Sequence, residues 1–224
     1  MIDDAALAHQ VRVVLRMKSD DEILLFTGGK TAGWDFRFRI ERTTDRVLSG
    51  YVTEHVKNER EPRVHVTLFQ ALLKKDNLEL IFEKCTEIGV STFVPVVSER
   101  SIKKGLNEER AQKIVKEASE QSGRASVPGI RPIVSFADAI IIAKKAGSFN
   151  VLAHEKEIRR SLDAAPPASR SVSLFIGPEG GFSEKEIIMA RNAGFFITSL
   201  SRRVLRAETA AIVGSYAVLH RFGN

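Results

Sequence analysis

The pattern of hydrophobic and polar positions changes once along the chain, near residue 66. Before that point, apolar and polar residues alternate in WDFRFRI (34–40), and short apolar runs recur in EILLF (22–26) and RVLSGYVTEH (46–55). A period of two predicts β-strands, and short strands separated by Gly-rich turns are typical of a small barrel. We therefore predict a small β-barrel domain over residues 1–66.

A short helix is predicted to precede these strands. Asp3 or Asp4 can cap it, because a carboxylate at this position accepts hydrogen bonds from the first free backbone N–H groups. His9, Arg12 and Arg16 have the spacing i, i+3 and i+7, which predicts a basic stripe on one side of the helix. The predicted apolar face consists of Leu7, Val11, Val14 and Leu15.

Strands and helices alternate from about residue 67 onward. This alternation is typical of an α/β domain with a largely parallel sheet, and we predict one such domain over residues 67–224. The predicted strands are VHVTLF (64–69), STFVPVV (91–97), IRPIVSF (130–136), SFNVLAH (148–154), SVSLFI (171–176) and FFITSL (195–200). The predicted helices cover 77–88 (closed by Gly89), 107–122, 136–146, 184–193 and 207–221.

The charge balance indicates a class of partner. The chain has 34 Lys and Arg residues against 28 Asp and Glu residues, a formal net charge of +6, and a pI of about 9.5. This excess of positive charge favours a polyanionic partner such as RNA or DNA. A basic enzyme without such a partner has the same balance, so charge alone leaves both interpretations open.

Cysteine usage and hydropathy indicate the cellular compartment of the protein. Cys85 is the single cysteine, which excludes an intramolecular disulfide, and its helical surroundings predict a buried, inert thiol. No apolar run reaches the length of a membrane span. The first ten residues, MIDDAALAHQ, carry acids where a secretory signal carries bases. These features predict a cytoplasmic protein.

Several common catalytic motifs are absent from the sequence. The segment GGKT (28–31) resembles part of a phosphate-binding loop, but that motif requires a glycine where Leu24 stands, and no helix is predicted to follow. A hairpin turn explains GGKT better. The histidines lack the spacing of a zinc site, so we expect no metal, and neither GxSxG nor GxGxxG occurs.

The stretch FIGPEGGFSEKEI (175–187) is a candidate ligand-binding loop. Ser183 and Glu186 have the spacing of a capping box, which predicts that a helix begins at Glu184. The glycines of Gly177–Gly181 therefore lie at the carboxyl end of a predicted strand, where open α/β sheets bind ligands. A tight strand-to-helix turn without a ligand is the alternative interpretation.

A second candidate is LSRRVLRAETAA (200–211), in which Arg202, Arg203 and Arg206 lie between a strand end and a helix start. Such a cluster suits the recognition of an anion, although a solvated basic loop is the alternative. Small residues dominate the helix that follows, which permits close packing against another backbone. A third stretch, EASEQSGR (117–124), places polar side chains on one helical face, where an exposed salt-bridging surface is equally compatible.

In this order, IGPEGGFSEKEI and LSRRVLRAETAA closely resemble motifs of the RsmE family, the bacterial 16S rRNA uracil-N3 methyltransferases of the SPOUT (α/β-knot) superfamily. HQVRVVLR, LLKKDNLELIFEKCTEIGVSTFVPVVSERS and EASEQSGR are similar to further blocks of that family. The resemblance thus covers almost the whole chain. Ser201 departs from the pattern, because a glycine is usual at that position.

The resemblance implies a fold and a cofactor. The N-terminal domain would be a PUA-like β-barrel that helps to hold RNA, and the C-terminal domain an α/β-knot whose chain forms a deep trefoil knot. S-adenosylmethionine would bind within the knot, in a site completed across a homodimer interface. The cofactor-binding residues that the resemblance implies are Leu152, Ala153, His154, Ile176, Gly177, Glu179, Gly180, Gly181, Leu200, Ser201, Val204, Leu205, Arg206 and Thr209.

The resemblance also implies methylation of N3 of a uridine in the 16S rRNA of the small (30S) ribosomal subunit. Loss of the N3 proton leaves negative charge on O2 and O4, which a neighbouring arginine stabilises. Arg206 is the first candidate and Arg203 the second, with Glu208 orienting an arginine or acting as a base. The expected RNA-binding residues are His9, Arg12, Arg16, Arg124 and Arg202.

Two alternatives to this function remain open at the level of sequence. One is an RNA ribose 2′-O-methyltransferase of the same superfamily. The other is a non-catalytic RNA-binding protein with a PUA-like domain. The three hypotheses differ in the product that the protein forms from S-adenosylmethionine and RNA.

Overall fold

The chain divides into two compact units, an N-terminal unit of residues Met1–Glu61 and a C-terminal unit of residues Pro62–Asn224. The division precedes the predicted boundary at residue 66, because the strand that begins at His65 pairs within the C-terminal unit. The predicted GGKT turn lies outside the described residues. The computed structural model describes residues 1–26, 33–102, 105–157, 160–166 and 170–223.

The N-terminal unit contains a four-stranded antiparallel sheet with the strand order β1-β4-β3-β2. Alternation along WDFRFRI places Phe38 and Ile40 in the core of this unit, where they are 4% and 1% exposed. Val11 and Leu48 complete the buried cluster. The strands are β1 (Ile2–Asp3), β2 (Glu22–Phe26), β3 (Trp34–Thr43) and β4 (Val47–Lys57).

Helix α1 (Ala5–His9) confirms the predicted cap and corrects the predicted apolar face. The Asp4 carboxylate accepts hydrogen bonds from two N–H groups of the first turn, at 2.9 and 3.0 Å. The chain then continues as a π-helical segment, Gln10–Val14, in which the spacing of an α-helix no longer applies. Val14 and Leu15 are consequently 65% and 55% exposed, so their assignment to the apolar face was wrong.

The C-terminal unit contains a parallel sheet with the strand order β11-β9-β10-β5-β6-β7, and β8 also pairs with β6. The predicted strand 130–136 is reduced to two short strands because Pro132 has no N–H to donate. The strands are β5 (His65–Ala71), β6 (Thr92–Val97), β7 (Gly129–Ile130), β8 (Val134–Ser135), β9 (Phe149–Ala153), β10 (Ser171–Ile176) and β11 (Phe196–Thr198).

Helices cover both faces of this sheet, so each face has its own core. Leu174 of β10 points into the core under α2, α3 and α6, and Phe175 points into the core under α4 and α5. The predicted α/β architecture with a mostly parallel sheet is thereby confirmed. The helices are α2 (Lys75–Ile88), α3 (Glu108–Ser122), α4 (Phe136–Lys145), α5 (Glu184–Asn192) and α6 (Ala207–Gly223).

Two residues of the α6 side of the core confirm sequence-based expectations. Cys85 is fully buried, and burial raises the pKa of its thiol to about 12, so the thiol is inert at neutral pH. Gly214 allows α6 to approach the sheet closely, because a Cβ at this position would lie 3.3 Å from Cδ2 of Leu174 on β10. Within the described part of the chain, no helix is both long enough and apolar enough to span a membrane.

Candidate functional site

Three neighbouring strands, β11, β9 and β10, run parallel and end at the same edge of the sheet. We call the segments that follow them the histidine loop (residues 154–157, after β9), the glycine loop (177–183, after β10) and the arginine loop (199–206, after β11). Carboxyl ends of parallel strands are where open α/β sheets bind ligands. The glycine loop and the arginine loop, which contain the two candidate stretches of the sequence, therefore lie on either side of the histidine loop.

The glycine loop has the shape that its sequence predicts. The Ser183 hydroxyl accepts a hydrogen bond from the Glu186 N–H at 3.3 Å, and the Glu186 carboxylate accepts one from the Ser183 N–H at 2.8 Å. Gly181 has a φ of 66°, a left-handed conformation that favours glycine. A Cβ at Gly177 would lie 3.2 Å from the backbone nitrogen of Phe182, so a larger residue would require the turn to shift by a few tenths of an ångström.

Glu179, the acid within the glycine loop, lies beside a helix terminus. Its Oε1 accepts a hydrogen bond from the backbone N–H of Lys74 at 3.5 Å. Lys74 is the residue before α2, a helix of 14 residues, so the carboxylate lies at the positive end of the helix dipole. Glu179 therefore stabilises the loop through α2, in addition to lining the cavity described below.

Serine hydroxyls shape the start of the arginine loop. The Ser199 hydroxyl donates to the carbonyl oxygen of Ser201 at 2.6 Å, and the Ser201 hydroxyl accepts from the Arg203 N–H at 3.1 Å. Ser201, which departs from the family pattern, thus contributes a hydrogen bond that glycine would lack.

Four side chains of the arginine loop are exposed. Arg202, Arg203 and Arg206 are all exposed, and across the described ranges none of the three forms an ion pair. Val204, between them, is 82% exposed. Unpaired guanidinium groups retain their capacity to bind phosphates or other anions.

The histidine loop supplies the remaining polar groups. The backbone N–H of His154 donates to the carbonyl oxygen of Thr198 at 2.9 Å, which connects the ends of β9 and β11. His154 Nδ1 is buried without a hydrogen-bond partner, and its nearest carboxylate oxygen, Glu155 Oε2, is 3.5 Å away. The Glu155 carboxylate also faces the glycine loop, 3.5 Å from where a Cβ of Gly181 would lie.

The three loops and the start of α6 surround a single cavity of about 200 Å³. The predicted cofactor-binding residues that line it are Ala153, His154, Ile176, Gly177, Glu179, Gly180, Gly181, Leu200, Ser201, Val204 and Leu205. The lining residues that sequence reasoning did not assign to the cofactor are Glu155, Pro178, Phe182, Ser199, Arg203, Ala207 and Ala210. Glu155 could have been found, because it is the next residue after the predicted strand end at His154.

Three predicted cofactor-binding residues do not line the cavity. The Leu152 side chain is fully buried in the core under α4 and α5, on the opposite face of the sheet from Ile176, because successive strand residues alternate. Thr209 is exposed on the first turn of α6. Arg206, also predicted to be catalytic, is exposed beside the cavity, whereas Arg203 lines it.

Arg124 is not exposed for RNA binding in this chain, contrary to expectation. Its side chain is 4% exposed, and its guanidinium donates to the carbonyl oxygens of Thr86 at 3.0 Å and Val90 at 2.7 Å. These carbonyls lie at the carboxyl end of α2, where a positive charge is stabilising. Arg124 therefore joins α2 to the end of α3.

The three predicted RNA-binding residues of the N-terminal unit are exposed but do not form one helical stripe. His9 ends α1, Arg12 lies in the π-helical segment, and Arg16 follows it with a φ of 54°. Arg12 forms an ion pair with Asp45. The predicted i, i+3, i+7 stripe fails because it assumed a single α-helix.

The cavity fits S-adenosylmethionine. Its walls combine apolar side chains and closely spaced glycines with the unpartnered His154 Nδ1 and the carboxylates of Glu155 and Glu179. Carboxylates repel the phosphates of a nucleotide but favour a ligand that has a positive sulfur and no phosphate. Across the described ranges, no group of three or more His, Cys, Asp or Glu residues is placed to hold a metal ion.

Comparisons with known proteins agree with this chemistry. Residues 59–219 match the family model described as RNA methyltransferase domain. The ribosomal RNA small subunit methyltransferase E of Rickettsia conorii is 34% identical over 208 residues, covering 91% of this chain and 82% of that protein. The protein of the same name from Bacillus subtilis is 28% identical over 228 residues, covering 95% and 87%.

A solved structure is similar over nearly the whole chain. The crystal structure of a ribosomal RNA small subunit methyltransferase E from Neisseria gonorrhoeae, bound to S-adenosyl methionine, aligns with a TM-score of 0.91. It is 28% identical and covers 99% of this chain and 92% of that chain. By its matched domain, its relatives and its fold, this chain belongs to the ribosomal RNA small subunit methyltransferase E family.

Proposed function

We propose that this chain is an S-adenosylmethionine-dependent methyltransferase that methylates N3 of a uridine in the 16S rRNA of the small ribosomal subunit. The observation that carries the proposal is the single cavity at three adjacent strand ends, which is lined by the carboxylates of Glu155 and Glu179, by closely spaced glycines and by the exposed Arg203. Membership of the family supports methyl transfer to small-subunit rRNA as the reaction. The resemblance of the C-terminal motifs supports uridine as the methylated base and N3 as the methylated atom.

The glycine loop and the histidine loop would hold the cofactor. The apolar side chains of Ile176, Leu200 and Leu205 offer a surface for its adenosine, and His154 Nδ1 offers an unused hydrogen-bonding atom. Glu155 and Glu179 supply negative charge next to a cationic ligand. When bound, S-adenosylmethionine supplies an electrophilic methyl group on a positively charged sulfur.

The arginine loop would act on the uridine. N3 carries a proton and has no free lone pair until that proton leaves, so stabilising the resulting anion lowers the barrier. Arg203 lines the cavity and Arg206 is exposed beside it, which places both guanidiniums in the segment that borders the cofactor pocket. Glu208, half-buried on the first turn of α6, would orient one of these arginines or accept the proton.

Exposed basic residues would hold the rRNA. Arg202 lies on the arginine loop without an ion-pair partner among the described residues, and His9, Arg12 and Arg16 are exposed on the N-terminal unit. The Arg12–Asp45 pair is exposed and therefore weak, so a phosphate can replace the carboxylate. Such contacts to phosphates provide affinity without reading the sequence.

We also infer a homodimer. Val204 is 82% exposed in the arginine loop, and on α6 Val213 and Tyr216 are 41% and 61% exposed at a spacing that places them on one helical face. Apolar surface of this kind beside a ligand site is typical of a contact surface. Sedimentation equilibrium tests this inference, and a monomer at micromolar concentration would contradict it.

A small-subunit rRNA substrate would place the reaction in the cytoplasm.

One experiment separates the proposed function from its alternatives. The protein is incubated with methyl-labelled S-adenosylmethionine and unmethylated 30S subunits, and the labelled nucleoside is identified after digestion of the RNA. We expect labelled 3-methyluridine. A labelled 2′-O-methyl nucleoside would instead identify a ribose methyltransferase, and binding of the subunit without transfer of label would identify a non-catalytic RNA-binding protein.

A further inference from the structure

The turn after β6, residues Ser98–Ser101, has a shape that its own serines maintain. The Ser101 N–H donates to the Ser98 carbonyl oxygen at 3.1 Å, and the Ser98 N–H donates to the Ser101 hydroxyl at 3.2 Å. In the sheet, β5 lies between β6 and β10, so this turn reaches the glycine loop from the side away from β9 and β11. Its central residues are Glu99 and Arg100.

Arg100 contacts the glycine loop at a residue that lines the cavity. Its Nη1 donates to the carbonyl oxygen of Gly180 at 2.8 Å. Its Cδ lies 3.5 Å from where a Cβ of Gly180 would be, so the aliphatic part of the side chain packs against the same residue. Arg100 itself does not line the cavity.

Glu99 contacts the other end of the loop. Its backbone N–H donates to Glu186 Oε1 at 2.9 Å, and its carboxylate accepts from the Ser183 hydroxyl at 2.8 Å. Glu186 is 6% exposed, and its second oxygen accepts from the Ser183 N–H. A buried carboxylate with fixed partners is costly to disturb, so the turn and the start of α5 form one unit.

We propose that Glu99 and Arg100 are positioning residues that hold the glycine loop in the conformation required to bind the cofactor. The proposal rests on the proposed function, because it assumes that the cavity binds S-adenosylmethionine. The glycine loop has the cavity on one side and the Ser98–Ser101 turn on the other. Removing the Arg100 contact frees Gly180, and binding must then order the loop again, which weakens the affinity.

Calorimetric titration with S-adenosylmethionine tests this role. We expect Arg100→Ala to raise the Kd about fivefold and Glu99→Gln to raise it about twofold, with Arg100→Lys between Arg100→Ala and wild type. Arg110→Ala is the matched control, since Arg110 is also an exposed arginine, paired with Glu79 on α2, and its Kd should match wild type. In steady-state kinetics, the KM for S-adenosylmethionine rises while kcat at saturation changes little.

Hydrogen exchange provides a measurement that does not need the cofactor. Without ligand, peptides covering residues 177–183 should exchange faster in Arg100→Ala than in wild type or Arg110→Ala, while peptides of α3 stay unchanged. If wild type binds S-adenosylmethionine and Arg100→Ala matches it in Kd and in exchange, the positioning role is wrong. If wild type does not bind the cofactor, the proposed function fails, and exchange alone decides whether Arg100 orders the loop. Should Arg100→Ala melt early, Arg100→Lys, which keeps the side-chain stem, is compared in both measurements.

Discussion

The glycine loop and the arginine loop border the same cavity but are held in opposite ways. The glycine loop is connected to three other segments, through Lys74 after β5, Glu99 and Arg100 after β6, and the capping box at the start of α5. The arginine loop is shaped mainly by its own serines, and its three arginines are exposed.

This difference matches the ligands that each loop would receive. A small cofactor gains affinity when its pocket is already in the bound shape, because no ordering entropy is lost on binding. A large polyanion instead needs unpaired positive charge, which is attractive at long range and adapts to the position of phosphates. The rigid loop therefore suits the cofactor and the charged loop suits the RNA. Four predictions test this comparison, in order of decreasing effect.

The largest effect is expected at the arginine loop. Arg203→Ala and Arg206→Ala should each lower the methylation rate about 100-fold or more, because each removes a cation that would stabilise the uridine anion. Methyl transfer to 30S subunits measures the rate, and the Kd for S-adenosylmethionine should change much less. A wild-type rate for Arg206→Ala would exclude Arg206 from the reaction, and the larger loss would identify the principal arginine.

A substitution in the glycine loop should affect the cofactor instead. Gly181 and Gly147 have φ values of 66° and 65°, so Gly181→Ala and Gly147→Ala should each lower the free energy of unfolding by about 1 kcal/mol. Only Gly181 lines the cavity, and nothing lies near a Cβ at Gly147. We expect Gly181→Ala to bind S-adenosylmethionine about tenfold more weakly than wild type, and Gly147→Ala to bind it as wild type does. Equal affinities for the two variants would contradict a pre-shaped loop.

Two helix caps provide a smaller, paired test. Ser183 caps α5 and Ser135 caps α4, each accepting from a backbone N–H of its first turn. Ser183→Ala and Ser135→Ala should both cost about 1 kcal/mol of stability, measured by urea unfolding. Ser183 also donates to Glu99, so its loss should weaken cofactor binding about threefold, whereas Ser135→Ala binds normally. Equal affinities of the two variants for S-adenosylmethionine would show that the Ser183 cap does not contribute to cofactor binding.

The smallest effect compares an unpaired arginine with a paired one. Arg202→Ala should weaken binding of small-subunit rRNA about twofold and lower the slope of log K against log salt by about one. Arg39 is paired with Glu22 at 2.7 Å, so Arg39→Ala should change that slope by less than half as much. Filter binding at several salt concentrations measures both. Equal changes in slope for Arg202→Ala and Arg39→Ala would show that the pairing of Arg39 with Glu22 does not keep Arg39 from contacting the RNA.

Local features of the site could be predicted from the sequence where neighbouring residues determine them. The Ser183–Glu186 capping box and the start of α5 were correctly predicted, because both depend on residues a few positions apart. The basic stripe was not, because a π-helical segment replaced the expected α-helix after His9. The formation of a knot by the C-terminal unit stays a prediction from the family resemblance.

The tertiary structure decided which residues meet, and it buried one residue that was predicted to bind RNA. Arg124 has the same formal charge as Arg202, but packing buries Arg124 against the end of α2, whereas Arg202 remains exposed. Glu99 and Arg100 are distant in sequence from Gly180 and Ser183, so no spacing pattern connects them.

By itself, the sequence determined the alternation of strands and helices, the turn at residues 177–183 and the presence of three arginines after a strand end. These follow from backbone conformational preference and from short-range hydrogen bonds. Only the folded sheet placed β11, β9 and β10 side by side and so joined their loops into one cavity. The physical reason is that burial of the strands on both faces selects their order, and that order depends on packing between distant residues.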